Sequence, residues 1–319
     1  QSKIIFNGEI YNHISLRNKY LPDFNWRSTC DTETLLEIAE RFSLERILND
    51  LIGMFSFCIY EENKNLFTFA RDRVGEKPLY INTDNNKFIF SSDLSSIVPL
   101  TNNSLKISSL AVRELLKYNY IPTPLSIYEN TFKLPPSTLL KINLNKFKLV
   151  EYKNYRDFVN SKGVSSSNYW RPQKNNSKDY NELNYRDSKN YLKKTLINAV
   201  KSQTISDVPI GSFLSGGIDS SLIVSILKEH TSSNGIKTFN IGFDFKDYDE
   251  SSYAKKIANY LGTDHHNYMF NKNETIDFIQ NIPKAYAEPF ADSSQIPTML
   301  ISKIASKDVK VVLSGDAGD

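Results

Sequence analysis

At 319 residues the chain is long enough for two domains, and 40% hydrophobic against 24% charged residues is the balance of a soluble globular protein. A net charge of +3, from 39 basic and 36 acidic residues, is too small to argue for a nucleic-acid partner. No run of eighteen apolar residues occurs and no signal peptide is recognisable, so no membrane partner is expected.

The first 155 residues read as strand-rich with interspersed helices. Ile4-Ile5-Phe6 is a strand, and the Asn7-Gly8 after it is a turn signal, read on its own as a hairpin or strand end. Asp31-Thr32-Glu33-Thr34 opens a helix whose apolar face is Leu35, Ile38, Ala39 and Phe42. Strands are expected over 53–60, 66–71, 78–82 and 87–92, and their near-continuous apolar character predicts a sheet covered on both sides. A short helix over 109–118 precedes strands near 138–142 and 147–152. Lys141, Lys146, Lys148 and Lys153 read as a solvated face. Cys58 lies in an apolar strand and reads as a small core residue, while Cys30 precedes a helix start and reads as structural. Neither belongs to a metal-binding spacing, and the pair is consistent with a reducing, cytoplasmic setting without requiring one. Residues 156–185 lose apolar periodicity and read as a linker.

From 186 onward helix and strand alternate, which predicts a parallel sheet with helices on both faces and ligands beyond the carboxyl ends of its strands. Helices are expected over 187–203, 219–230, 250–261, 274–286 and 295–306, and strands over 208–214, 236–242, 267–270 and 309–313. The strand ending at Leu214 runs into Ser215-Gly216-Gly217-Ile218-Asp219-Ser220-Ser221. Two glycines let main-chain N–H groups approach a ligand, and the helix start after them adds free N–H groups and partial positive charge. Such a turn suits a phosphate, with Asp219 able to hold an accompanying Mg²⁺. A plain Gly-Gly turn with a Ser or Asp helix cap is the simpler reading of strand–SGG–helix alone. The Gly-Lys-Ser/Thr ending of a Walker loop is missing, and Ser220 stands where a dinucleotide fingerprint needs its third glycine.

The seven-residue string resembles the PP-loop of ATP pyrophosphatases. With Asn7-Gly8-Glu9-Ile10-Tyr11-Asn12, Asp31-Thr32-Glu33, Gly53-Met54-Phe55, Ala70-Arg71-Asp72-Arg73 and Lys77-Pro78-Leu79-Tyr80, it makes the whole chain resemble glutamine-dependent asparagine synthetases. So do Leu261-Gly262-Thr263-Asp264-His265-His266 and the run from Leu313 to Asp319. The resemblance implies a mixed α/β and α+β fold in two domains. Residues 1–155 would be a class II glutamine amidotransferase domain, an N-terminal-nucleophile hydrolase αββα sandwich lacking its start. Residues 186–319 would be a doubly wound, Rossmann-like PP-loop domain lacking its end, so the chain is expected to be a fragment of a longer protein.

Carried over by position, Asn7 and Gly8 would form an oxyanion hole, and Glu9 and Asp31 would contact bound glutamine, Asp31 through its α-ammonium. The family nucleophile is an N-terminal cysteine acting with its own amine, and neither it nor the expected upstream arginine is in this chain. Leu214, Ile241, Ser314 and Gly315 match ATP-contacting positions; Ser215, Gly216, Gly217, Ser220 and Ser221 would cradle pyrophosphate; Asp219 and Asp319 would lie near Mg²⁺. Asp316 stands where well-studied relatives carry glutamate, a position implicated in acyl-adenylate formation and proton movement. The implied reaction adenylates a carboxylate with ATP and amidates it with ammonia from glutamine. Aspartate is the leading acceptor; a uronic acid or antibiotic precursor, or a non-catalytic relic, stays open, as does the oligomeric state, a homodimer included. His265-His266 lacks a third ligand at usable spacing and reads as strand-end packing. Glu288-Pro289-Phe290-Ala291-Asp292-Ser293-Ser294 reads either as a helix cap or as part of the acceptor pocket.

Overall fold

The computed structural model describes residues 2–84, 86–102, 104–172, 183–206, 208–230, 235–244, 249–271 and 276–316. The chain divides into two compact units, one of residues 1–174 with 287–291 and one of 175–286 with 292–319.

The first unit runs β1 (Ser2–Ile10), α1 (His13–Tyr20), α2 (Asp31–Arg41), α3 (Leu44–Ile47), β2 (Gly53–Glu61) and β3 (Leu66–Arg71). It continues with β4 (Tyr80–Thr83), β5 (Phe88–Ser91), α4 (Ile97–Leu100), α5 (Ser109–Tyr118), β6 (Thr131–Lys133), β7 (Thr138–Asn143), α6 (Tyr155–Val159) and β8 (Val164–Asn168). Two antiparallel sheets result, in the orders β1-β2-β3-β7-β8 and β5-β4-β6. Because residues two apart share a face of a strand, Phe55, Phe57 and Ile59 of β2 pack with Leu16, Leu35 and Ile38 of α1 and α2. Cys58, between them, points the other way, into a cluster with Phe69, Ile81, Phe132 and Leu140. A third cluster, Ile89, Leu94, Ile97, Ala111 and Ile121, places α4 and α5 behind the smaller sheet. The layers are helix, sheet, sheet, helix. Each fully buried phenylalanine, such as Phe57 and Phe69, contributes about 2–3 kcal/mol by leaving water.

Three local expectations change. Asn7-Gly8 is no turn: β1 continues through it, with Gly8 paired to Phe55. Residues 147–152 form no strand, because the edge of β7 is taken by β8; Phe147 and Tyr152 instead stack their rings 6.1 Å apart in the core. The expected linker therefore starts too early, since residues 155–168 supply a helix and a paired edge strand to the first unit. Residues 173–182 of that linker lie outside the described residues.

The Ala70–Arg73 stretch is a clasp. Asp72 is 1% exposed, and its carboxylate accepts N–H bonds from Phe55, Val74, Gly75, Glu76 and Lys77 at 2.7–3.3 Å. The Arg71 guanidinium donates to the carbonyls of Gly75, Lys77 and Leu134 at 2.5–2.7 Å. One turn is thereby held from both its donors and its acceptors.

The second unit comprises α7 (Tyr185–Ser202), β9 (Ile210–Phe213), α8 (Ile218–His230), β10 (Lys237–Phe243), α9 (Ser251–Leu261), β11 (Asp264–Phe270), α10 (Ile282–Ala285), α11 (Gln295–Ala305) and β12 (Val311–Leu313). Its sheet is parallel, in the order β11-β10-β9-β12. Val224 of α8 and Ala254 and Ala258 of α9 pack with Leu214 on one face, while Ile304 and Ala305 of α11 pack with Phe239 on the other. That is a doubly wound sheet. The helix expected over 274–286 is reduced, among the described residues, to short pieces ending in α10, where Pro283 has no N–H to continue an earlier turn. Among the described residues no helix is long and apolar enough to cross a membrane.

Replacing Asp72 with Ala leaves five main-chain donors without their acceptor, and each buried unmet donor costs about 1–3 kcal/mol. Denaturant unfolding of Asp72→Ala is expected to show a loss above about 3 kcal/mol; a loss under about 1 kcal/mol would mean the clasp does not hold the turn.

Candidate active site

In the second unit the strand order reverses between β9 and β12, and a crevice opens beyond their carboxyl ends, as at the switch point of an open α/β sheet. After β9, Leu214 is buried and its N–H donates to the Phe239 carbonyl at 2.9 Å. Gly216 comes next but one at φ +92°, and a Cβ there would lie 2.8 Å from Tyr253 Cβ and Ala254 N, so the turn packs against the start of α9. Gly217 is different. A Cβ on it would meet nothing closer than Ser215 Oγ at 3.4 Å, and its open side faces the cavity. The turn after β12 presses on the start of α8: a Cβ on Gly315 would lie 2.6 Å from Ser220 N and 2.8 Å from Asp219 C.

Between these turns lies a cavity of about 500 Å³. Of the residues read from sequence as nucleotide-binding, Leu214, Ser215, Gly217, Asp219, Ser220, Ile241, Ser314 and Gly315 line it, together with Asp316. Gly216 and Ser221 do not line it; the Ser221 hydroxyl turns back onto the Gly217 carbonyl at 2.5 Å, a bond within the helix. The Ser215 and Ser220 hydroxyls lie 3.0 Å apart and order one another. Ser314 Oγ donates to Asp316 Oδ2 at 2.9 Å, which steadies that exposed carboxylate. Hydrogen bonding of β10 to β9 ends at Phe239↔Phe213, so the main-chain groups of Ile241, on the same side two residues later, face the crevice.

Other lining residues went unread in the sequence. Asn240 is 5% exposed and donates to Asn267 Oδ1 at 3.1 Å; Glu250 precedes α9; Pro297, Thr298 and Ile301 of α11 form one wall. Asn240 adjoins Ile241 at a strand end and could have been found from that neighbour, whereas α11 carries no local signal of a ligand. Asp219, Glu250 and Asp316 make the lining acidic, with no lysine or arginine in it among the described residues. Asp319 lies outside the described residues, and among them no three His, Cys, Asp or Glu side chains gather as a metal cage. His265 Nδ1 is 2.9 Å from Thr238 Oγ1 and His266 stacks on Phe239 at 5.3 Å, which is packing of strand ends. Burial lowers the pKa of His265 and favours its neutral ring.

In the first unit Asn7, Gly8 and Glu9 succeed one another on β1, and Asp31 opens α2. Asp31 Oδ2 accepts the Ile10 N–H at 2.8 Å, which ties the helix start to the end of that strand. A Cβ on Gly8 would lie 2.1 Å from Met54 O, so β1 and β2 can approach only with glycine there. Glu9 is exposed and Asn7 half-buried. Nearby, the Tyr11 phenol is pushed up to about 12 by burial and by the charges of Glu76 and Glu9. Glu76 is itself raised by burial and by Asp72, and neither residue was singled out from sequence. Cys58 is buried, and burial pushes its thiol far up, so it is no nucleophile; Cys30 sits exposed at the N-cap of α2. Glu288 belongs to the first unit, where Lys133 and the Ile127 N–H occupy its carboxylate.

A glycine-lined turn at the switch point of a doubly wound parallel sheet defines an α/β domain with a ligand-sized cavity at its strand ends, here joined to an αββα domain. Residues 139–319 match the family model of asparagine synthase, and residues 1–155 match that of a glutamine amidotransferase domain. The chain belongs to the asparagine synthase family. It is 38% identical to a protein of Methanocaldococcus jannaschii provisionally named asparagine synthetase (glutamine-hydrolyzing) 2, over 99% of this chain and 57% of that one. It is 32% identical to asparagine synthetase (glutamine-hydrolyzing) 1 of Bacillus subtilis, over 99% of this chain and 46% of that one. With asparagine synthetase B (glutamine-hydrolyzing) of Escherichia coli the identity is 26%, over 98% and 50%. The chain thus spans about half the length of the curated relatives it matches.

The two glycines of the cavity separate packing from ligand binding. Gly315→Ala is expected to lower the melting temperature by several degrees, an effect of about 1–3 kcal/mol for overpacking. Gly217→Ala should leave the melting temperature of the ligand-free protein within about one degree. Equal losses in the two variants would mean that the Gly217 side of the turn is not open.

Proposed function

We propose that the whole protein is a glutamine-hydrolysing asparagine synthase, which makes β-aspartyl-AMP from ATP and aspartate and amidates it with ammonia released from glutamine. The observation that carries this is the meeting of Ser215, Gly217, Ser220, Ile241, Ser314, Gly315 and two carboxylates, Asp219 and Asp316, at one cavity of a chain in this family.

Main-chain N–H and C=O groups of Ile241 would read the base edge, between Leu214 and the apolar side chains of Pro297 and Ile301. The main-chain amides of the Ser215–Ser220 turn and helix start, with the Ser215 and Ser220 hydroxyls, would hold the β- and γ-phosphates. An acidic lining fits a polyphosphate only as its metal complex, and Mg²⁺ takes one or two protein carboxylates with the rest of its ligands from phosphates and water. Asp219 fits that part, and Asp319 is proposed beside it. Bound Mg²⁺ would supply charge neutralisation on the departing pyrophosphate. The aspartate β-carboxylate attacks the α-phosphorus and pyrophosphate leaves. Ammonia then attacks the acyl carbon, AMP departs with the bonding pair, and Asp316 takes the proton shed by the new nitrogen.

In the amidotransferase half, the Asn7 side-chain amide and the Gly8 N–H would face the oxyanion formed from the glutamine amide. Asp31 would use its remaining lone pairs for the glutamine α-ammonium and Glu9 would contact the same substrate. A second acceptor is favoured by one feature: Asp316 is a methylene shorter than the glutamate of the family pattern, so the carboxylate approached could be bulkier than aspartate, as in a uronic acid.

Full-length protein is expected to release pyrophosphate from ATP in the presence of aspartate and glutamine. Asp219→Ala should lower that rate by roughly 100-fold or more with the melting temperature unchanged. Pyrophosphate release at the wild-type rate in that variant would refute the phosphate-site assignment, and release independent of aspartate would refute the acceptor.

A further inference from the structure

Within the first unit, residues 27–30 are all exposed and lead into the start of α2, where Asp31 stands. This loop brings no buried side chain to the core, so polar bonds to its main chain set its course. Arg17 of α1 holds the acceptors. Its Nη1 donates to the Ser28 carbonyl at 2.9 Å, its Nη2 to the Cys30 carbonyl at 2.9 Å, and its Nε to Thr34 Oγ1 at 2.7 Å. The Thr34 hydroxyl donates in turn to the Cys30 carbonyl at 3.2 Å. The Glu33 carboxylate holds the donors, accepting the N–H groups of Arg27 and Ser28 at 2.9 and 2.8 Å.

The guanidinium is itself fixed. Its carbon lies 4.1 Å from the centre of the Trp26 ring, which Phe24 meets edge to face at 4.8 Å. Arg17 is only 8% exposed, a depth arginine rarely reaches. Cys30, the N-cap of α2, makes no side-chain cap bond, so no capping side chain pins the first turn. The direction of the Asp31 carboxylate then follows from where the Cys30 carbonyl is held, one residue before it. Burial lowers the pKa of His13; the Arg17 charge adds to this and the Asp31 charge opposes it, so both groups act on one ring.

We propose that Arg17 is a positioning residue for glutamine recognition: its fork on the Ser28 and Cys30 carbonyls aims the Asp31 carboxylate at the α-ammonium of glutamine. The proposal rests on the reading of Asp31 given above. A lysine at 17 keeps the charge but lacks the planar fork, and cannot hold two carbonyls and the Thr34 hydroxyl in fixed directions.

Ammonia release by full-length protein from glutamine and from glutaramate, the analogue that lacks only the α-ammonium, tests this. Wild type should prefer glutamine in kcat/KM by roughly 100-fold or more, and Asp31→Asn should remove most of that preference. Arg17→Lys should cut the preference by about tenfold or more through the KM for glutamine, with kcat and the glutaramate kcat/KM within about threefold. A loss shared equally by both substrates, or an unchanged preference, would overturn the proposal and leave Arg17 a merely structural clamp. Thr34→Val removes the Nε acceptor with little change of shape and should lower the preference by about threefold. If Arg17→Lys fails to fold, Thr34→Val decides alone, and a wild-type preference in it overturns the proposal. Hydrogen exchange needs no substrate: the amides of residues 28–32 should exchange faster in Arg17→Lys, and unchanged exchange also overturns it. Wild-type protein that releases no ammonia, or Asp31→Asn that keeps the full preference, would refute the glutamine reading itself, while the exchange result still judges what Arg17 holds.

Discussion

The second unit depends on how closely two backbone turns can approach one another. Strand β12 lies beside β9 in parallel, Val312 opposite Gly211, and the Ser212 hydroxyl donates across to the Leu313 carbonyl at 2.9 Å. That register delivers Gly315 onto the start of α8, where the space left is smaller than a methyl group. Contact of the two turns is what brings the amides after β9 and the carboxylate of Asp316 to the same cavity. A side chain at 315 would separate them, and the turn after β9 would then be a helix cap without a partner.

The first unit solves a comparable problem by the same means. Its sheets stack on phenylalanine and leucine, but the β1–β2 contact closes at Gly8 and Gly53, where Cβ atoms would lie 2.1 Å and 2.0 Å from carbonyl oxygens of the facing strand. The turn beyond β3 is satisfied by one buried carboxylate and one guanidinium, Asp72 and Arg71, with no apolar payload of its own. Thus a motif that resembles a functional signature, Ala70–Arg73, is largely architectural here.

Elements with a strong apolar period were legible in the sequence. The helices over 109–118 and 251–261 and the alternation from β9 to β12 carry their own signal, because burial of one face dictates the residue types along it. Helix α1 carries no such signal, since only Leu16, Arg17 and Tyr20 are buried and no apolar stripe results. Strand β8 reads Val-Ser-Ser-Ser-Asn because it is an exposed edge, and residues 147–152 imitate a strand because their aromatics serve the core without pairing. In the cavity at the ends of β9, β10 and β12, residues at strand ends could be read from local pattern. The wall of α11 could not, because its place depends on long-range packing against Phe239.

The central claim is that the turn after β9, the end of β10 and the turn after β12 hold one ATP. Hydrogen exchange of the main-chain amides in full-length protein, with and without Mg²⁺ and the non-cleavable analogue α,β-methylene-ATP, tests it most directly. Slowed exchange is expected at Ser215–Ser220, at Ile241 and at Ser314–Asp316 together, with little change in the first unit. Saturating analogue that protects none of these three segments, or protects amides elsewhere in their place, would contradict the account.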